Sequence, residues 1–244
     1  METMSFEACL PAVRQRREAP CEMMVAATPL LVDPAGALLL EAESLLIVAD
    51  LHLEKGSFYA ARGVLLPPWD TAATLARLAG LLSRWRPRRV MALGDSFHDP
   101  RAGERIGAAD RACLAAMQAG RDWIWIAGNH DPAPPAFVGG ETAQEIAIGR
   151  LRFRHQPQAG ACRGEIAGHL HPVARVVSAS GSVRRRCFVS DGQRCVMPAL
   201  GAYAGGLNVR DAAFDPLFGE RRKTAHVLGR AKVYAISERF CAME

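Results

Sequence analysis

Three short apolar runs in this chain end in the same way. SLLIVAD ends on Asp50, RRVMALGD on Asp95, and DWIWIAGNHD on Asn129, His130 and Asp131. Runs of this length, bounded by polar residues, read as buried strands. Between the first two lies PPWDTAATLARLAGLLSRW, with Leu75, Leu78, Leu82 and Trp85 at helical spacing and Asp70 placed to cap its start. Between the second and third lies ERIGAADRACLAAMQAG, compatible with a helix closed by Gly120. Strands alternating with helices restrict the chain to a layered α/β fold.

The second half changes character. EIAIG, RLRFRH, GEIAGHLH, ARVVSA, RCFVS, RCVMPAL and AKVYAIS all read as strands, with turn residues between them and few helical periods. A second, more antiparallel sheet packed on the first accounts for this. The expected architecture is α/β with four layers, a two-sheet β-sandwich flanked by helices, as one domain over residues 21–240. Residues 1–20 are charged and aperiodic and read as a flexible extension.

Half of the 244 residues are hydrophobic, enough for a sizeable core. ALLLEAESLLIVA is the most apolar region, but Glu41 and Glu43 interrupt it, so it is no membrane span. The seven cysteines include no CxxC pair, which argues against a disulfide framework or a zinc ribbon and for reduced thiols in the cytoplasm. No signal peptide is evident. The net charge is +5, and the basic residues cluster: Arg14, Arg16 and Arg17; Arg84 to Arg89; Arg150, Arg152 and Arg154; Arg184 to Arg186; Arg221 to Lys223. Each cluster alone reads as a solvated face; together they point to a polyanionic partner.

Six of the seven histidines fall just past apolar runs, in ADLHL, GDSFHD, GNHD, RLRFRH and GEIAGHLH. Open α/β sheets place ligands there. A lone Asp-x-His is a weak signal, and Gly-Asp after a strand is usually a turn. The order and position of all five segments together are what point to a site. Carboxylates and imidazoles buried without partners are costly, and metal ions resolve that cost. Oxygen and imidazole ligands without thiolate suit manganese, iron or zinc. Asp50 and His52 lie two apart, so in extended backbone they point the same way and can share one ion; by the same spacing, so can His169 and His171. The ligands exceed the needs of one ion. Two-metal centres clamp the attacking and leaving oxygens of a phosphoryl displacement and lower the pKa of bound water towards 7.

This ordered set, DLH, GD, GNHD, a later His and GHLH, resembles the calcineurin-like metallophosphoesterases over about residues 23–237. DLHLEKG, LLPPWDT, LGDSFHD and MPALGAYAGGLNV further resemble the bacterial DNA ligase-associated metallophosphoesterases, a family of DNA-repair endonucleases. The resemblance implies roles by position. Asp50, His52 and His171 hold the first metal, Asn129, His155 and His169 the second, and Asp95 bridges both. His130 contacts the scissile phosphate and assists the leaving group, and Asp131 orients His130. The two histidines of GHLH thereby serve different ions, with Gly168 giving the backbone room to approach. Two divalent ions are implied, manganese first, with iron or zinc as alternatives. The sequence departs from the narrower family at Glu54, where glycine is usual.

His98, three residues beyond Asp95, either supports a ligand, touches substrate or is bonded within its own loop. Lys55, Phe58, Tyr59 and Arg62 of EKGSFYAARG follow a ligand motif and either contact a nucleic-acid strand or, for the two aromatics, enter the core. The expected activity is metal-dependent hydrolysis of nucleic-acid phosphodiesters, a DNA endonuclease acting in repair. The resemblance further implies association with a ligase, a helicase and an exonuclease, with no membrane partner. The alternatives are a phosphatase or phosphodiesterase acting on a small nucleotide, lipid or phosphoprotein, and a non-catalytic scaffold.

Overall fold

The computed structural model describes residues 21–179 and 181–243. The N-terminal 20 residues, with Arg14, Arg16 and Arg17, lie outside them.

The first sheet has seven strands in chain order: β1 (Cys21–Val25), β2 (Thr28–Asp33), β3 (Ala37–Leu40), β4 (Leu45–Val48), β5 (Arg89–Leu93), β6 (Asp122–Ile126) and β7 (Glu141–Ala143). From β4 to β7 the pairing is parallel, as the strand–helix alternation requires. From β1 to β4 it is antiparallel. These three added strands were not expected. The sequence reads residues 37–49 as one apolar stretch, but Ser44 turns it back on itself in a left-handed conformation, φ +47°.

Two helices cover one face of this sheet, α2 (Asp70–Trp85) and α4 (Ala108–Gln118). Two shorter ones, α1 (Lys55–Ala60) and α3 (Ala102–Arg105), sit in the connections. The stretch expected as one helix from Glu104 therefore splits, because Ile106 takes an extended ψ of 128°. Each central strand is buried on both faces and divides its side chains by alternation. Val90 and Ala92 of β5, with Trp123 and Trp125 of β6, pack under the helices with Leu75, Leu78 and Leu82. Met91, Leu93, Ile124 and Ile126 point the other way, into the core shared with the second sheet.

That second sheet comprises β8 (Glu145–Ile148), β9 (Leu151–Arg154), β10 (Glu165–Ala167), β11 (Val173–Ser178), β12 (Gly181–Ser190), β13 (Cys195–Val196), β14 (Thr224–Leu228), β15 (Val233–Ser237) and β16 (Cys241–Ala242). Its main path runs β15-β14-β12-β13-β10-β9-β8, with β11 and β16 beside β12. It is mostly antiparallel as expected, yet β9-β10-β13 pair in parallel. Phe153, Ile166, Phe188 and Met197 complete the shared core. Its outer face is covered by Phe214, Leu217 and Phe218, around the four-residue helix α5 (Asp215–Phe218). The four layers are therefore present, but the second helical layer is thin. Among the described residues no helix is long and apolar enough to cross a membrane.

Two buried polar groups pin these layers. Asp33 accepts from Arg84 Nη1 at 2.8 Å and from Trp85 Nε1 at 2.7 Å, tying the end of α2 to the β2–β3 turn. Arg194 and Glu165, each about 1 % exposed, form an ion pair at 3.2 Å, and Arg194 Nη1 donates to Leu217 O at 2.8 Å. Removing one member of a buried pair strands the other charge, at a cost of about 3 kcal/mol or more. Arg194→Met is expected to lower the free energy of unfolding by about 3 kcal/mol in urea titration. A loss under about 1 kcal/mol would show that Arg154, whose Nη1 is 3.7 Å from the same carboxylate, carries the pairing instead.

Candidate metal centre

Strand polarity assembles the site. Asp50, Asp95 and Asn129 follow the carboxyl ends of β4, β5 and β6, which are parallel neighbours and so finish side by side. His155 and His169 follow β9 and β10, parallel neighbours in the other sheet. The loops then brace one another: His52 N donates to Asp95 O and Leu53 N to Ser96 O, both at 2.9 Å, and Gly168 N donates to His155 O at 3.0 Å.

The side chains converge by a route the sequence does not signal. Asp50, His52, Asp95, His169 and His171 all adopt left-handed backbone, with φ between +44° and +71°. Such values are uncommon outside glycine and concentrate at functional sites. The extended backbone that the spacing of Asp50 and His52 assumes is absent; alternate left-handed residues curl the chain around the centre. Asp50 and His52 nevertheless meet with His171 in one group, and Asp95, His155 and His169 form a second. Residues two apart are thus united in one loop and divided in the other, since His169 and His171 fall to different groups.

The donor set fits cations. In the first group His52 Nε2 lies 3.3 Å from His171 Nε2, which is 3.2 Å from Asp50 Oδ1. In the second, His155 Nε2 lies 3.3 Å from Asp95 Oδ2, 3.2 Å from His169 Nδ1 and 2.8 Å from Asn129 Oδ1. Asp95 Oδ2 is also 3.9 Å from His52 Nε2, so it stands between the groups. His155 Nδ1 faces Leu93 O at 3.0 Å. A carbonyl only accepts, so this bond places the ring proton on Nδ1 and turns the Nε2 lone pair inward. Lone pairs then face lone pairs. An ion about 2.1 Å from each donor sets those donors roughly 3–4 Å apart, the spacing observed.

Electrostatics show how strongly the two carboxylates draw positive charge to this spot. Burial alone would lower the His155 pKa, but its bond to Asp95 and the charges of Asp50 and Asp95 push the imidazole up to about 9. Burial alone would raise Asp95; the bond and charge of His155 and the His130 amide hold its carboxyl down to about 2. His52 moves oppositely, held down to about 2 by burial and by His171. It stays neutral, as a metal-binding imidazole must.

Backbone amides fix the carboxylates. His169 N donates to Asp50 Oδ2 at 3.0 Å, and His130 N to Asp95 Oδ1 at 2.9 Å. Both contacts need the chain to come close. A Cβ on Gly168 would lie 2.4 Å from Asp50 Oδ2, and one on Gly128 would lie 2.2 Å from Asp95 Oδ1.

His130 stands at the mouth, half-buried. The orienting role expected of Asp131 is filled differently: His130 Nδ1 contacts His98 O at 2.9 Å. Asp131 turns inward, where its Oδ2 accepts from Phe97 N at 2.8 Å. Burial, with the nearby Asp95 charge adding to it, pushes its carboxyl up to about 7. Asp131 therefore holds the Asp95 loop rather than the His130 ring.

His98 lies behind His52, with their Nδ1 atoms 3.3 Å apart, and stacks on His130 at 5.0 Å between centroids. Burial, then the charges of Lys55 and His130, lower it to about 4. A neutral His98 accepting from His52 Nδ1 leaves the His52 Nε2 lone pair facing His171. No sequence signal distinguishes this from a locally bonded loop histidine.

Lys55 opens α1, its pKa lowered by burial and partly restored by Asp70. Phe58 and Tyr59 are half-buried and not part of the core. Phe58 meets His98 edge-on at 4.6 Å, and the Arg62 guanidinium lies 3.5 Å over the Phe58 ring. Glu54 adopts φ +67°, a conformation that glycine takes more readily than glutamate. Its carboxylate is held by Thr71 at 2.9 Å and Ser57 at 2.6 Å. Asp70 does not cap its own helix but accepts from Gly56 N at 2.9 Å, locking α1 to α2. On the far side a cleft of about 320 Å³ opens beside Asn129 and His155, walled by Gln144, Arg154 and Gln156. The alternating arginines of β9 are engaged there: Arg152 and Arg154 both pair with Glu145.

No family model matches the chain, and no curated protein does. Among solved structures, the Pseudomonas putida nuclease MPE is 28% identical with a TM-score of 0.68, covering 89% of this chain and 100% of that one. The phosphoesterase YfcE of E. coli is 12% identical with a TM-score of 0.39, covering 79% and 98%.

Gly168→Ala is expected to displace the Asp50 carboxylate and lower bound manganese, measured by elemental analysis after dialysis. Gly205→Ala serves as control, since nothing lies within 4 Å of its added Cβ. Equal metal content in both variants would contradict the close approach.

Proposed function

We propose, on the premise that the chain is a metallophosphoesterase-type enzyme, that it hydrolyses phosphodiester bonds of nucleic acid. The observation carrying this is the pair of adjacent donor groups, with Asp95 Oδ2 of one 3.9 Å from His52 Nε2 of the other, together with the likeness to a nuclease. Asp50, His52 and His171 would hold one divalent ion, and Asn129, His155 and His169 a second, with Asp95 between them; manganese is the expected metal. Ions bound there supply Lewis acidity and a low pKa for bound water.

The chain's own groups do the rest. Asp50 and Asp95 are held by backbone amides, so their free oxygens are preset and need no reorganisation. Leu93 O and His98 fix the inward lone pairs of His155 and His52. His130 keeps Nδ1 on the His98 carbonyl, which leaves Nε2 free to face a phosphoryl or leaving oxygen. As imidazolium it donates a proton or a charged hydrogen bond there. Asn129 contributes a neutral amide in place of a third carboxylate, which keeps the centre positive towards an anionic substrate. The resemblance to ligase-associated enzymes supports a DNA substrate and a place in DNA repair beside a ligase, a helicase and an exonuclease.

Chelation is expected to abolish cleavage of a DNA oligonucleotide, and manganese to restore it, with rates falling steeply as salt rises. His130→Ala should retain its metals yet lose about 10²-fold in kcat. Turnover of cyclic nucleotides or phosphomonoesters but not of oligonucleotides would overturn the nucleic-acid reading. A wild-type rate in His130→Ala would remove that residue from the chemistry.

A further inference from the structure

The segment joining α1 to α2 is apolar yet turned to solvent. Val64, Leu65, Leu66, Pro67, Pro68 and Trp69 follow one another. Leu65 is 85% exposed and Trp69 68%. Single exposed apolar residues need no explanation; a contiguous run rimmed by charge does.

The segment is also braced. Val64 N donates to Tyr59 O at 3.0 Å, so the run starts at the Phe58–Tyr59 pair. Tyr203 Oη donates to Pro67 O at 2.6 Å from the opposite loop. That loop hangs on the metal centre: Gly201 N donates to Asp50 O at 3.0 Å, and a Cβ on Gly206 would strike His171 O. Asp70, next to Trp69, bonds Gly56 beside Lys55. Two prolines further restrict the backbone, so little ordering is lost on binding.

Rings lead outward from the centre to this segment. His52 meets His98 at 5.3 Å, His98 meets Phe58 at 4.6 Å, and Arg62 stacks on Phe58. Arg62 is exposed, so its outer face offers a planar cation beside the apolar run. Flat apolar surface and a stacked guanidinium on one rigid lip match the needs of a nucleobase and its phosphate.

We infer that the Val64–Trp69 segment, with Arg62 and Tyr203, forms a base-stacking lip that seats the nucleobases flanking the scissile phosphate. This rests on the nucleic-acid reading above. Leu65 and Trp69 offer the stacking surface, Arg62 adds charge, and Tyr203 holds the lip against the first metal group. These residues position substrate and touch no reacting atom.

The test compares binding of an oligothymidylate with that of an abasic deoxyribose-phosphate strand of equal length. Binding is measured on the full chain without added divalent ion, so that neither strand is consumed. Wild type is expected to prefer the base-containing strand by about 5-fold or more, and Trp69→Ala with Leu65→Ser to remove that preference while the abasic affinity stays. Both side chains are exposed, and circular dichroism checks that the variant folds. An unchanged preference in the double variant would overturn the lip, as would equal binding of both strands by wild type. So would loss of self-association in the variant with oligonucleotide binding intact, which would make the segment a contact between copies. Failure of the nuclease reading appears separately, as wild-type protein that shows the base preference yet cleaves no strand with manganese.

Discussion

Everything near the centre follows from lone pairs brought face to face. Two buried aspartates, four imidazoles and one amide oxygen converge within a few ångströms of one another, and those donors repel unless positive charge lies among them. Desolvation there drives His52 down, while the Asp95 bond and the charges of Asp50 and Asp95 overcome it at His155 and push that ring up. Such a cluster persists only where the scaffold over-determines it. Strands parallel in both sheets bring five loops to one edge, and left-handed residues curl three of them inward, those of Asp50, Asp95 and His169. Two glycines then let neighbouring backbone reach the carboxylates. Left-handed backbone at non-glycine residues costs about 1 kcal/mol or more each, so the centre stores strain that the sandwich core offsets.

The same constraint explains what could be read in the sequence. The strands β4, β5 and β6 were legible because fully buried strands are short, continuous apolar runs. The residues of the two groups were legible as candidates because each follows such a run. The curling was not, since the usual sign of a positive φ is glycine and here it falls on Asp50, His52, Asp95, His169 and His171. The division of His169 from His171 came from family likeness; spacing alone put them on one ion. Strands β1 to β3 went unseen because the turns at Ala26-Ala27 and Ser44 carry no glycine, asparagine or proline, although Asp33-Pro34-Ala35-Gly36 between β2 and β3 is a turn signal. His226 lies in β14, which was overlooked for lack of a clear alternation, and it is the one histidine away from the centre.

Part of the basic clusters is engaged by the protein's own groups. Arg152 and Arg154 meet Glu145, Arg84 meets Asp33, Arg221 meets Asp191, and Arg186 donates to the carbonyls of Ala199 and Ala35. The basic clusters therefore make a weaker case for a polyanion than their number implies. The proposed substrate class therefore rests on the centre and on the inferred lip, where exposed Arg62 precedes exposed Leu65 and Trp69.

Manganese stoichiometry in histidine variants tests the centre most directly. Wild type is expected to bind two ions per chain by elemental analysis. His171→Ala and His169→Ala are each expected to keep about one, and the double variant none, since the two residues belong to different groups. One ion in wild type, or the loss of both ions in His171→Ala with full retention in His169→Ala, would contradict the two-group assignment.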